Sequence, residues 1–121
     1  MPRLTLVRAR DGARIDGTVH AGWYEMDGTQ ISDATAISFV PNGLLEPGWH
    51  VLRMDISALV ERLGGADSVT VHADRRSGDV LYARFRMDSA PSWVTTGVAY
   101  ESLEQVTFQC RLSEEIADAA W

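Results

Sequence analysis

Strict alternation of apolar and polar residues is the feature that most restricts what this chain can fold into. In residues 80–88, Leu81, Ala83, Phe85 and Met87 occupy one side of an extended chain, and polar residues occupy the other. The same alternation recurs in the segments 14–23, 50–56, 68–74 and 106–112. Because successive side chains of a strand point to opposite sides of a sheet, this pattern predicts antiparallel sheets with one side on a core and the other in water.

Two weaker segments, 3–9 and 34–40, bring the prediction to about seven strands. So many short strands predict a mostly β fold, an antiparallel β-sandwich or a small barrel, since a parallel α/β fold would need long crossover helices. The segment 74–79 is predicted to be the hairpin loop between two of the clearest strands. The whole chain, residues 1–121, is predicted to form a single β-rich domain.

One or two short helices are predicted to accompany the strands. Ser57 is predicted to cap a helix over 58–63, which the glycines that follow would end. Ser113 is predicted to cap a second, C-terminal helix over 114–120, whose first residues are acidic and therefore suit the positive end of the helix.

The cysteine and histidine residues do not form a recognisable chemical site. Cys110, the only cysteine, falls on the apolar side of its strand and is interpreted as a small core residue. His20, His50 and His72 are far apart in the sequence and match no zinc-binding spacing. No nucleophile elbow and no phosphate-binding glycine loop occurs. We therefore expect a protein that is not an enzyme, with no catalytic residue, no metal and no cofactor.

The apolar residues are spread along the chain and form no targeting or spanning segment. The N-terminal residues lack the apolar stretch of a signal peptide. No stretch approaches the ~20 apolar residues that cross a bilayer. We therefore expect synthesis in a host cytoplasm without a signal peptide, no membrane partner, and later incorporation into an assembly such as a virion.

Charge is distributed unevenly along the chain, whose net charge is −6. An acidic protein is repelled by phosphates, so no nucleic acid partner is expected. Residues 1–14 carry four arginines against Asp11 alone, whereas residues 101–121 carry five acidic residues against Arg111. Ends of opposite sign are compatible with pairing inside one fold and with pairing between neighbouring subunits, and the sequence leaves both interpretations open.

A group of arginines between residues 75 and 86 is the first candidate partner-binding site. Arg75 and Arg76 lie in the predicted hairpin loop, and Arg84 and Arg86 project from one side of the strand that follows. Guanidinium groups bind carboxylates through pairs of hydrogen bonds, so this patch suits the carboxylates of a protein partner. The alternative is a solvated strand whose charges discourage edge pairing.

Aromatic residues offer two further candidates. Trp121, a bulky aromatic residue, is predicted to dock either on its own domain or on a partner, and the sequence does not distinguish the two. Trp49, Trp93 and Tyr100 are candidates for a surface that stacks against sugars. Trp23, by contrast, follows the apolar side of its strand and is predicted to lie in the core.

The sequence EPGWHVLRMDI at residues 46–56 resembles small β-sandwich domains of bacteriophage tail and baseplate proteins, in which a glycine and an aromatic residue open a strand. The strands predicted at 68–74 and 80–88 follow it as they do in those domains. The resemblance covers residues 46–88 and implies a β-sandwich that acts through its surface rather than through a motif.

These observations favour a non-enzymatic structural protein, a phage virion component such as a tail, baseplate or head-completion subunit. Its expected partners are other protein subunits, including copies of itself, so we expect an oligomer or part of a larger assembly. Two alternatives remain from the sequence. One is a carbohydrate-binding module, and the other is an immunity or inhibitor protein whose acidic surface binds a basic partner.

Overall fold

The computed structural model describes residues 3–22, 24, 27–30, 36–88, 90–100 and 105–112, and in this part of the chain the strands form two five-stranded sheets. The strands of the first sheet are β1 (Arg3–Arg8), β2 (Arg14–Ile15), β5 (Gly48–Asp55), β7 (Arg75–Ser77) and β8 (Val80–Met87). They are arranged in the order β2-β1-β5-β8-β7, and every neighbouring pair is antiparallel.

The second sheet combines strands from the start, the middle and the end of the chain. Its strands are β3 (Gly17–Ala21), β4 (Ala36–Pro41), β6 (Thr70–His72), β9 (Thr96–Tyr100) and β10 (Gln105–Leu112). They are arranged in the order β3-β4-β9-β10-β6. The pair formed by β6 and β10 is parallel, and the other pairs are antiparallel.

A single hydrophobic core lies between the two sheets. Leu52 and Phe85 contribute to it from the first sheet, and Ile37, Phe39 and Phe108 contribute from the second. Burial of a side chain of this size stabilises the fold by about 1.5–3 kcal/mol. Two sheets that pack face to face around one core form a β-sandwich. This confirms the predicted mostly β, antiparallel fold class, from which only the parallel pair of β6 and β10 departs among the described strands.

The sandwich contains more strands than the sequence predicted. The edge strands β2 and β7 have two and three residues, which is too short to show an alternating pattern. Strand β9 begins at Thr96 and continues with Gly97, and neither residue is apolar enough to mark a buried strand. Short edges of this kind limit pairing with other chains.

The segment 74–79 differs from the predicted hairpin loop. Strand β7 occupies half of it and pairs with β8 through a tight turn at Gly78, whose φ is 58°. The preceding strand β6 lies in the second sheet, so the chain passes from one sheet to the other just before Arg75. Alternation therefore located both predicted strands, but it could not show that they belong to different sheets.

Helix α1 (Ser57–Arg62) follows β5 directly and buries Leu59 and Val60 against the core. Gly64 lies after its last turn with φ of 93°, a left-handed conformation in which glycine avoids the clash of a side chain. A three-residue 3-10 helix, Ala66–Ser68, follows. In the described residues, no helix combines the length and apolarity that crossing a membrane requires.

The start of α1 corrects one prediction about capping. Ser57 is the first residue of the helix rather than its cap, and the cap position belongs to Ile56, whose side chain makes no capping hydrogen bond. Instead, the backbone N–H of Ser57 donates to Asp55 Oδ1 at 2.9 Å. The second predicted helix, 114–120, lies outside the described residues.

Candidate docking surface

The outer side of the first sheet is rich in arginine and aromatic side chains. Because side chains alternate along each strand, the residues between the core positions of β5 and β8 point away from the core. We call the resulting surface the arginine face, and its residues are Trp49, Arg53, Arg75, Tyr82, Arg84 and Arg86. They come from the three neighbouring strands β5, β8 and β7.

Tyr82 occupies the centre of one row of this surface. Arg53 and Arg75 are its partners on the two flanking strands. Their guanidinium carbons lie 5.5 and 5.4 Å from the centre of the Tyr82 ring, within the range of cation–π attraction. The Tyr82 ring therefore attracts the guanidinium groups of Arg53 and Arg75, and both groups keep their positive charge.

Trp49 has the same role as Tyr82 in a second row of side chains, near the start of β5. The guanidinium carbons of Arg84 and Arg86 lie 5.0 and 5.8 Å from the centre of its ring. Trp49 remains 46% exposed, which is a large value for an aromatic side chain on a sheet. Exposed apolar area of this kind gains from being covered by a partner.

Most of the positive charge on this surface is unpaired. Among the described residues, Arg53, Arg75 and Arg84 form no ion pair, whereas Arg86 Nε donates to Asp88 Oδ1 at 2.6 Å. The nearby carboxylate of Asp74 accepts the backbone N–H of Arg84 at 3.2 Å rather than binding a guanidinium. The exposed guanidinium donors are therefore available to carboxylates from outside.

The arginines form the walls of an open groove of about 960 Å³. Its lining includes Trp49, Arg53, Arg75, Tyr82 and Arg84. A second depression of about 370 Å³ shares Arg53 and continues toward Arg3 and Arg14. The positive surface therefore extends across the sheet from β7 to β2.

The charges around Arg8 show a contrasting arrangement, because they neutralise each other. Arg8 pairs with Asp11 at 2.7 Å and with Glu46 at 2.8 Å, and Arg10 pairs with Glu46 at 3.1 Å. Hydrogen bonds from Arg8 and from the backbone of Ala13 lower the pKa of Asp11 to about 2. This network stabilises the turn after β1 and leaves little free charge for a ligand.

The structure brings three of the predicted partner-binding residues together and separates a fourth. Arg75, Arg84 and Arg86 share the arginine face. Arg76 lies on the opposite side of β7, where its Nε donates to the carbonyl of Gly78 at 2.9 Å and its Nη2 lies 3.7 Å from Asp79. The predicted contact through Trp121 falls outside the described residues.

Sequence reasoning missed Arg53 and Tyr82 and did not connect Trp49 with the arginines. All three alternate with buried residues, so their outward direction was visible in the sequence. Their meeting depends on the register of β5 against β8, which pairs Arg53 with Tyr82 and Trp49 with Arg86. No pattern within a single segment of the sequence predicts that register.

The aromatic residues proposed for sugar stacking occupy separate elements. Trp49 belongs to β5 in the first sheet, and Trp93 is 48% exposed in the segment before β9. Tyr100 is the last residue of β9 in the second sheet. Trp23, the predicted core residue, lies outside the described residues.

His50 is buried at the end of the core without a polar partner for one of its nitrogens. Its Nδ1 lies 3.1 Å from the carbonyl of Gly48 and donates to it, whereas Nε2 has no partner among the described residues. The ring stacks on Phe85 with 5.3 Å between ring centres. Burial lowers the pKa of His50, so the neutral ring is the form that suits this site.

The remaining residues with ligand or nucleophile chemistry are dispersed. No group of three or more His, Cys, Asp or Glu side chains within the described ranges is arranged to hold a metal ion. Cys110 packs against the core, and burial together with the charge of Asp74 raises its pKa to about 12. Its thiol is therefore protonated at neutral pH and is a weak nucleophile.

The protein is a small two-sheet β-sandwich, and the outer side of its first sheet is rich in arginine. Comparison with known proteins gave no matching protein family, no matching curated protein and no matching solved structure. The functional argument therefore depends on the chain's own residues.

Proposed function

We propose that this chain is a non-enzymatic assembly protein that docks on an acidic region of a partner protein through its arginine face. The proposal is based on the exposed guanidinium groups that lie around Tyr82 and Trp49 and form no ion pair within the described part of the chain. Arg, Trp and Tyr are the residues that contribute most to binding at protein interfaces. The setting we propose is a virion, where the chain would serve as a tail, baseplate or head-completion subunit.

The chemistry of the surface favours a protein partner over a nucleic acid. The chain carries a net charge of −6, so a long polyanion would be repelled by most of its surface while only one side attracted it. A short acidic segment of a protein avoids this repulsion because it contacts the arginine face alone. Carboxylates also match the planar, two-pronged geometry of the guanidinium group.

A labelled oligoglutamate peptide tests the proposed docking surface directly. We expect it to bind the wild-type chain at low ionic strength, with binding measured by fluorescence anisotropy. The variant R53A/R84A should bind at least about tenfold more weakly, since interface hot-spot residues contribute about 2 kcal/mol or more. Raising the salt from about 50 to about 500 mM should weaken wild-type binding, because exposed charges are screened.

The matched control is R62A/R76A, which removes the same charge from positions outside the arginine face. It should bind the peptide like the wild type. Equal losses of peptide affinity in the two double variants would mean that only the net charge matters for binding. The proposed docking surface would then be wrong. Absence of binding to the wild type at low salt would also overturn the proposal.

Two exposed tryptophans support a second candidate function, the binding of carbohydrate. Trp49 is 46% exposed and Trp93 is 48% exposed, as expected of side chains that stack on sugar rings. In that case neutral glycans should change the tryptophan fluorescence of the wild type, and W49A or W93A should abolish the change. Unchanged fluorescence across a glycan panel would remove this candidate and leave the docking proposal intact.

A further inference from the structure

We propose that the acidic segment of residues 113–121 from a second copy of this chain is the partner that binds the arginine face. This inference rests on the proposed docking function and names its occupant. The segment follows β10 directly and lies outside the described residues. It would join one copy to the next through two different surfaces.

Charge complementarity identifies this segment as the occupant. It contains Glu114, Glu115 and Asp118 and no basic residue. These three acids account for half of the chain's net charge of −6. Ile116 and Trp121 add apolar side chains among the acids, which suit the exposed ring of Trp49. The segment therefore offers carboxylates to the arginines and apolar side chains to the exposed ring of Trp49.

The spacing of charges on the two surfaces is compatible with simultaneous contacts. Arg53 and Arg75 lie two strands apart on either side of Tyr82, a distance of about 10 Å between strand axes. Glu114 and Asp118 are four residues apart and reach at most about 14 Å in an extended chain. Two carboxylates of one segment are thus able to meet both arginines at once.

The arginine face is open to a second copy. Arg53, Arg75 and Arg84 are all exposed, and the groove between them is open. The segment follows β10, which belongs to the second sheet, whereas the arginine face is the outer side of the first sheet. The face is therefore accessible to the carboxylates of another molecule. Because segment and face are different surfaces, the contact is head-to-tail and repeats from copy to copy, which generates rings or filaments.

A charge-swap experiment tests this contact on the full-length chain. The face variant R53E/R84E and the segment variant E114R/E115R are each examined alone, as a mixture and combined in one chain. Molar mass is measured by light scattering after size exclusion at about 50 mM salt, where exposed charges are weakly screened. Far-ultraviolet circular dichroism of each variant checks that the fold is kept.

We expect the wild type to have at least twice the mass of one chain and each variant alone to be monomeric. The mixture should assemble again, because each reversed surface then meets a complementary one. The combined variant should also assemble. The segment variant changes no residue of the described sandwich, so its dissociation tests the contact even if the face variant does not fold.

Other outcomes overturn the inference in ways that separate it from the proposed function. A monomeric wild type that still binds oligoglutamate through Arg53 and Arg84 would retain the docking function and remove the second copy as the partner. A wild-type oligomer that survives both charge reversals would show that copies associate through another surface. A monomer that also fails to bind oligoglutamate would remove both proposals.

Discussion

The ionisation of His50 is coupled to the fold because its side chain is buried. Burial disfavours its charged form and lowers its pKa from the ordinary 6.5, while the donor hydrogen bond to Gly48 fixes the neutral ring with Nε2 unprotonated. Below the pKa of the unfolded chain, the unfolded state binds a proton that the folded state resists. The contribution of His50 to stability is therefore fully present above about pH 6.5 and declines as the pH falls below that value.

We expect acidification from pH 7 to pH 5 to lower the free energy of unfolding, with a slope from His50 of at most about 1.4 kcal/mol per pH unit. The variant H50Q should lose this part of the pH dependence, as measured by urea denaturation at a series of pH values. H72Q, which changes an exposed histidine, should retain the wild-type profile. A parallel loss in both variants would contradict the role assigned to burial.

At Gly17 the packing leaves no room for a side chain. A Cβ atom at this position would lie 2.5 Å from Cζ of Phe39 and from the carbonyl oxygen of Val40. Phe39 is a core residue of β4, the strand that pairs with β3. To relieve the clash, either the ring of Phe39 or the backbone at Val40 would have to move.

We therefore expect G17A to lower the free energy of unfolding by about 1–3 kcal/mol, the usual cost of overpacking. Chemical denaturation followed by circular dichroism measures the change. G43A is the control, because a Cβ atom there meets nothing within 4 Å. Similar stabilities for the two variants would show that the strand adjusts more easily than the geometry implies.

At the scale of elements, Asp55 joins the end of β5 to the start of α1. Its carboxylate accepts the N–H of Ser57, and hydrogen bonds from Ser57 lower the pKa of Asp55. The helix has only six residues, so it depends on its ends and on the packing of its buried side chains.

We expect D55A to destabilise the protein by about 1 kcal/mol, the typical contribution of a capping side chain. D55N, which keeps the acceptor oxygen, should cost less, and S57A should also cost less than D55A. Thermal denaturation of the three variants gives the ranking. If S57A were the most damaging, Ser57 would be the capping residue, as its position in the sequence had predicted.

At the scale of the whole molecule, one core couples the two sheets. Leu52 of β5 is fully buried at the centre of the first sheet and belongs to the cluster that contains Ile37 and Phe108 of the second. A defect at Leu52 should therefore weaken both sheets together, because neither sheet buries its apolar side alone.

We expect L52A to lower the free energy of unfolding by about 2–5 kcal/mol. Tryptophan fluorescence and far-ultraviolet circular dichroism should report the same transition in the wild type and in L52A, as expected of cooperative two-state unfolding. L44A removes the same number of atoms from a side chain that is 52% exposed and should have little effect. Separate transitions for the two signals would mean that the sheets unfold independently.

The fold class and the direction of most side chains on the longer strands were predictable from the sequence. In β8, the alternation of Leu81, Ala83 and Phe85 with the arginines assigned one side to the core and the other to solvent, because the two-residue period of a strand is a local property. For the same reason Arg84 and Arg86 were predicted to share a surface. The short strands β2 and β7 have too few residues for any such period.

Which strands are neighbours, and therefore which side chains meet, became known from the folded structure. The pairing of β5 with β8 placed Arg53 beside Tyr82 although about thirty residues separate them in the sequence, and the assignment of β6 to the other sheet overturned the predicted hairpin. Pairing between distant strands depends on how the complete set of apolar sides closes around one core. No single segment carries that information, so the arginine face became visible only when the sandwich was assembled.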